Sequence, residues 1–249
     1  MKTAAQALTG IIVAMAVQAV PAAEIKVLSA GAVEPGLKAA AAAFQKTSGH
    51  QVSITFNTAP QIRKRLEGGE VQDVVLAPPA VIEEFAKAGK LSQERANVGR
   101  VGLGAAVRPG APAPDISNAE ALKKSVLEAE SIVFNRASTG IYFENLLKKM
   151  GIYDQVEKKT TRYADGAAVM EHVLKGKGRE IGFGPITEIL LHKDHGLRLV
   201  GPLPPEVQNF TSYTAAVMNG AASTAAAQEF VRYLATPGAK SIFTAAGVE

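Results

Sequence analysis

The chain has 249 residues, 47% hydrophobic and 20% charged, enough to build a sizeable core in one or two domains. The formal charge is only +4, with Lys and Arg scattered and aromatic content at 6%, which argues against a nucleic-acid binder. Cysteine is absent, so disulfides, thiolate zinc sites and cysteine nucleophiles are excluded together.

Residues 1–23 read as a secretory signal peptide, with Lys2 as the basic start, IIVAMAVQAV as the apolar run and Pro21-Ala22-Ala23 as the small-residue exit. That run is too short to span a bilayer and no stop-transfer pattern follows it. Cleavage near Ala22 or Ala23 removes Lys2 from the 27 basic residues, leaving 26 against 23 acidic. The expected location is therefore a bacterial periplasm.

Ile25–Ala30 reads as a strand closed by a Gly31–Gly36 turn. Leu37, Ala40, Ala41 and Phe44 then mark an amphipathic helix that stops at Ser48-Gly49-His50. Val52–Phe56 alternates as a strand, and Pro60 suits the first turn of the basic helix QIRKRLEGG. Val74–Ala77 is a third strand, and Pro78-Pro79 opens another helix. This alternation predicts a parallel sheet with helices on its faces.

Residues 97–114 change character, with a glycine-rich strand and then a Pro/Gly stretch that suits a crossing between domains. Gly102-Leu103-Gly104 is not a dinucleotide loop, because Val107 stands where the third glycine belongs and no helix follows. Ile116–Glu128 is a helix, and SIVF at Ser131–Phe134 a buried strand. Asn135–Gly140 is the turn into a helix with Phe143, Leu146, Leu147 and Met150 on one face. Short strands follow at Thr160–Tyr163, Ile181–Phe183, Leu197–Val200 and Tyr213–Met218, with helices at AAVMEHVLKG and EILLHK and two more closing the chain. The pattern predicts two doubly wound α/β domains with a ligand cleft between them. The expected division is residues 24–104 with 215–249 as one domain and 105–214 inserted as the other.

In open parallel sheets ligands bind beyond the carboxyl ends of the strands. Four such ends carry hydroxyl or glycine residues where a helix begins: Ser29-Ala30-Gly31, Asn57-Thr58-Ala59, Ser138-Thr139-Gly140 and Gly184-Pro185-Ile186-Thr187. One such turn by itself is more simply a helix cap. Four, two in each domain, point to a site of backbone N–H groups and hydroxyls suited to an anion. Arg136, inside the key turn, and Arg63, one turn into the basic helix, are candidates for a carboxylate contact. Tyr142 is placed to close over a ligand or to pack. No catalytic set stands out. Glu34 and Asp165 are the acid/base candidates, and the His192/His195 pair reads as a surface loop.

The order of IKVLSAGAVEPGL, FNTAPQIRKRLEGGEVQDVVLAPP, STGIYFENLLKKMGI, EIGFGPITEI and LATPGAKSIFTAAGV resembles the periplasmic solute-binding proteins of ABC transporters, type II fold, in their molybdate-binding-like branch. The resemblance implies no cofactor, a small anionic ligand, a permease partner and a monomer. It assigns ligand contacts to Ser29–Ala32, to Thr58 and Ala59, to Ser138–Gly140 and to the Ala167-Ala168 turn. Two departures stand out: Ala32 replaces an expected serine, and no tyrosine lies near Pro185. Both remove hydrogen bonds that a tetrahedral oxyanion would use, and steep discrimination follows from missing donors. Arg136 and Arg63 lean instead toward an organic di- or tricarboxylate. The alternative is an isomerase of the periplasmic aconitate type on the same fold.

Overall fold

The computed structural model of the chain describes residues 22–249, so most of the expected signal peptide lies outside the described residues. Strand β1 (Glu24–Ala30) leads through a tight turn at Gly31–Val33 into α1 (Glu34–Ser48). The predicted stripe of Leu37, Ala40, Ala41 and Phe44 is the buried face of α1. Gly49 ends the helix with φ 78°, a left-handed conformation that glycine adopts without strain. Strand β2 (Gln51–Asn57), α2 (Ala59–Glu67), β3 (Val74–Ala77) and α3 (Pro79–Lys87) complete the first alternating run.

Strand β4 (Leu91–Val107) is far longer than its glycine-rich part implies. It pairs with β9 (Phe210–Met218) up to Gly102 and with β7 (Glu180–Pro185) from Leu103 onward, so one strand serves two sheets. Between them lie α4 (Ala119–Glu128), β5 (Ser131–Asn135), α5 (Ser138–Lys149), the single turn α6 (Tyr153–Val156), β6 (Thr160–Tyr163) and α7 (Gly166–Lys175). After β7 come α8 (Ile186–Leu191) and β8 (Arg198–Pro202), and after β9 the helices α9 (Thr224–Leu234) and α10 (Pro237–Ala245).

The strand order is β2-β1-β3-β9-β4 in one sheet and β4-β7-β5-β6 in the other, with β8 beside β4. The α/β architecture stands, but the sheets are mixed rather than parallel. Strands β1, β2 and β3 are mutually parallel, as are β5, β6 and β7, whereas β9 runs against its neighbours β3 and β4, and β4 runs against β9, β7 and β8. The reason is connectivity, since β4 and β9 are the two crossings between lobes and not crossover units. Drawn by pairing, we propose lobe boundaries at 102/103 and 209/210, a few residues ahead of the expected 104/105 and 214/215.

Each lobe has its own apolar core. The first gathers Leu28, Phe44 and Leu76 with Phe230 of α9 and Phe243 of α10. In the second, Phe143 stacks on Phe183 at 4.0 Å between centroids and meets Phe134 edge-on at 5.3 Å. Burying side chains of this size contributes roughly 2–3 kcal/mol each, which holds the strand ends in place on both sides of the cleft.

Candidate anion site between the lobes

The carboxyl ends of β1, β2, β3, β5, β6 and β7 open on one cavity of about 260 Å³. All four predicted turns reach it, contributing Ala30, Gly31 and Ala32, then Asn57, Thr58 and Ala59, then Ser138 and Thr139, and finally Pro185. Ala167 lines it from the first turn of α7. At the starts of α5 and α7, the N–H groups ahead of Gly140 and Ala168, which are bonded to side-chain caps, have no helical carbonyl one turn back to donate to, so they are oriented for an acceptor in the cleft.

The sequence around Asn135 explains why the α5 turn takes this shape. Asn135 is buried, and its Oδ1 accepts hydrogen bonds from the N–H groups of Ala137 and Gly140, both at 3.0 Å. Its Nδ2 donates to the Thr139 hydroxyl at 3.1 Å. Gly140 is obligatory there, because a Cβ would lie 1.8 Å from the Asn135 carbonyl oxygen. On the far side, Asp165 caps α7 by accepting from Ala168 N–H at 2.9 Å. Thr58 meets Gln61 in a capping pair, its N–H donating to Oε1 at 2.8 Å.

Several expected contacts are placed elsewhere. Arg63 turns to the surface and pairs with Glu84 at 2.8 Å. Arg136 is exposed and does not line the cavity; its backbone N–H donates to Tyr163 at 2.8 Å. Tyr142 donates its hydroxyl to the Val207 carbonyl at 2.9 Å, which commits it to packing within its own lobe. Ser29 is fully buried and donates to the Ala30 carbonyl, while Gly140 lies behind the lining. Thr187 is also buried; its hydroxyl donates to the Ala32 carbonyl and so ties α8 to the first lobe. No lysine or arginine lines the cavity among the described residues.

What lines it instead is a set of groups that ionise. Glu34, Asp165, Glu188, His192 and Tyr213 all face the space. Glu34 is paired with Lys38 one turn along α1, at 2.5 Å. Glu188 has no such partner. Its Oε2 is shut away from solvent with no hydrogen-bond partner among the described residues. The carboxyl reaches across the lobes. A Cβ on Gly31 would sit 3.3 Å from Oε1, and one on Gly166 would sit 1.4 Å from Oε2. Gly166 therefore makes the room that the carboxyl occupies. Burial, with Asp165 and Glu34 adding repulsion, pushes the Glu188 carboxyl up to about 8, so it is protonated at neutral pH. Burial lowers His192, keeping it neutral, and raises Tyr213 above the ordinary phenol.

The model of bacterial extracellular solute-binding proteins matches residues 25–249. The chain belongs to that family. Among curated proteins, an aconitate isomerase from Pseudomonas sp is 28% identical over 235 residues, covering 92% of this chain and 88% of that one. Among solved structures, the periplasmic molybdate-binding protein of Azotobacter vinelandii superposes with a TM-score of 0.76 at 18% identity, covering 90% of this chain and 98% of that one. A sulfate-binding protein of Mycobacterium tuberculosis gives 0.73 at 16% identity, covering 91% and 86%. The fold of this solute-binding protein is thus the type II periplasmic binding fold, and its cavity lies between the two lobes.

The cavity-lining residues that sequence reading missed in this solute-binding protein are Asn135 as organiser of the turn, together with Glu188, His192 and Tyr213. Glu188 sits in EILLHK, where a charged residue between apolar ones reads as the solvated face of a helix. His192 reads as surface loop but lines the cavity, because α8 ends at the cleft rim. The tyrosine expected near Pro185 is absent, yet Tyr213 presents a phenol ring to the cavity from β9. A hint was available for Glu188, since helix EILLHK follows directly on a strand end already singled out as a site turn.

Proposed function

We propose that this protein captures a small organic polycarboxylate between its lobes outside the cytoplasmic membrane and hands it, as a monomer, to an ABC transporter permease. The carrying observation is a cavity built from helix starts of both lobes, lined by backbone N–H groups and hydroxyls and, among the described residues, by no lysine or arginine. Size favours an organic ligand. A cavity of about 260 Å³ has room beyond the five heavy atoms of a tetrahedral oxyanion. Apolar lining from Phe56, Ala59, Pro78 and Leu191 suits a carbon skeleton better than an inorganic ion. The carboxyls in the cavity do not contradict an anion: Glu34 is neutralised by Lys38, Asp165 uses an oxygen on the α7 cap, and Glu188 holds its proton. Titration of the purified protein with citrate, cis- and trans-aconitate, tartrate, sulfate and molybdate, followed by thermal shift, tests this. A ligand at 100 Kd adds about 2.7 kcal/mol of stability. A shift with molybdate or sulfate alone, or with none of the panel, would refute the carboxylate assignment.

A second reading, an isomerase, is favoured by the neutral acid Glu188 and neutral base His192 lining one cavity, and by the similarity to an aconitate isomerase. The chemistry needs no cofactor. A base removes a proton from the methylene of a propene tricarboxylate, an acid returns one to the far alkene carbon, and the double bond moves one position. Incubation with cis-aconitate, with the trans isomer followed by chromatography, separates catalysis from capture.

A further inference from the structure

We propose that Glu188 is the specificity-determining residue of this cavity, keeping its proton and donating a hydrogen bond from the carboxyl to a carboxylate oxygen of the bound ligand. The proposal rests on the organic-anion reading and deepens it. Three observations on geometry converge. The Oε2 atom is buried without a partner, and a buried polar atom left unpaired is costly unless something fills the role. Glu188 lines the cavity, so the missing partner can come from a ligand. Gly31 of one lobe and Gly166 of the other leave the space in which the carboxyl stands, so both sides of the cleft are shaped around it.

Electrostatics agrees with the geometry. The charged and titratable groups facing Glu188 are Glu34 from α1, Asp165 at the start of α7, Tyr213 from β9 and His192 at its own helix end. None supplies a cation to Glu188; Lys38 is already paired with Glu34. Ionised, Glu188 would add a negative charge beside Asp165 and next to the Glu34–Lys38 pair, and would repel an anionic ligand. Protonated, it offers one donor at no cost in charge. A neutral acid is the complement to a carboxylate in a cavity that no lysine or arginine lines among the described residues. The same acid turns against that ligand once it loses its proton.

The test uses the full mature chain, cis-aconitate and citrate as probes, and calorimetric titration across pH. Wild-type affinity should be flat from pH 6 to 7 and fall towards tenfold per unit above about pH 8, the range where Glu188 ionises. His192, displaced downward, and Tyr213, displaced upward, both titrate away from that limb. Glu188→Gln keeps a donor but cannot ionise, so it should bind within roughly fivefold of wild type with a level profile over the same range. Glu188→Leu, which removes the donor, should lose on the order of ten- to hundredfold at pH 7. Circular dichroism and urea midpoints check that both variants are folded. Glu188→Leu binding like wild type, or Glu188→Gln following the wild-type alkaline fall, overturns the proposal while leaving the carboxylate reading in place. Binding of neither probe by wild type overturns both. If Glu188→Leu does not fold, the Glu188→Gln pH profile alone decides.

Discussion

Replacing Glu188 by Gln should change how stability depends on pH even with no ligand present. In the unfolded chain the carboxyl titrates near its ordinary 4.5, and in the folded chain near 8. Between those values the folded state holds the proton and the unfolded state has lost it. Stability therefore falls as pH rises through this window, and the full loss is reached above pH 8. At ~1.36 kcal/mol per pH unit the whole window is worth ~5 kcal/mol, of which roughly two thirds is lost by pH 7. Glutamine cannot ionise, so the variant lacks this slope. Urea unfolding of both proteins from pH 5 to pH 8 isolates it, because every other titrating group is common to the two. The variant should gain on wild type by roughly 3 kcal/mol or more across that range. A difference that stays constant with pH would mean that Glu188 is ionised in the native state, which would remove the basis for its role as a donor.

Three further outcomes follow from the placement of the turns. Arg63→Ala and Arg136→Ala should each leave anion affinity within about twofold, since one residue is paired at the surface and the other is exposed away from the cavity; a tenfold loss by titration would contradict this. Gly140→Ala should destabilise by ~3 kcal/mol or more in urea, because its Cβ meets the backbone at Asn135 and cannot be relieved by a rotamer change. Asn135→Ala should cost about 2 kcal/mol through the unpaired N–H groups of Ala137 and Gly140, and weaken binding with it, whereas Asn135→Asp keeps the acceptor and should recover much of the stability in the same measurement.

Within this chain, local pattern carried most of the architecture. The spacing of Leu37, Ala40, Ala41 and Phe44, and of Phe143, Leu146 and Leu147, marked helix faces that are buried as expected. Such periodicity is a property of neighbouring residues and can be read without tertiary information. The turns Ala30–Gly31, Thr58–Ala59 and Ser138–Thr139 were legible for the same reason, since each is a strand end meeting a helix start. The reach of β4 was not legible. LSQERANV carries too many polar residues to read as a strand, and it is one only because β9 pairs with it across a surface-facing edge.

Side-chain direction was likewise beyond sequence. Arg136 sits inside the central turn, yet it faces solvent while the adjacent Asn135 points inward to hold the N–H groups. A one-residue step decides between the two, and only the packed sheet sets that step. The sequence by itself determined that two sets of strand ends would present N–H groups and hydroxyls suited to an anion. Tertiary structure decided which charges accompany them. It turned both candidate arginines away and drew Glu188 between Gly31 and Gly166, where lost solvation makes a carboxyl keep its proton.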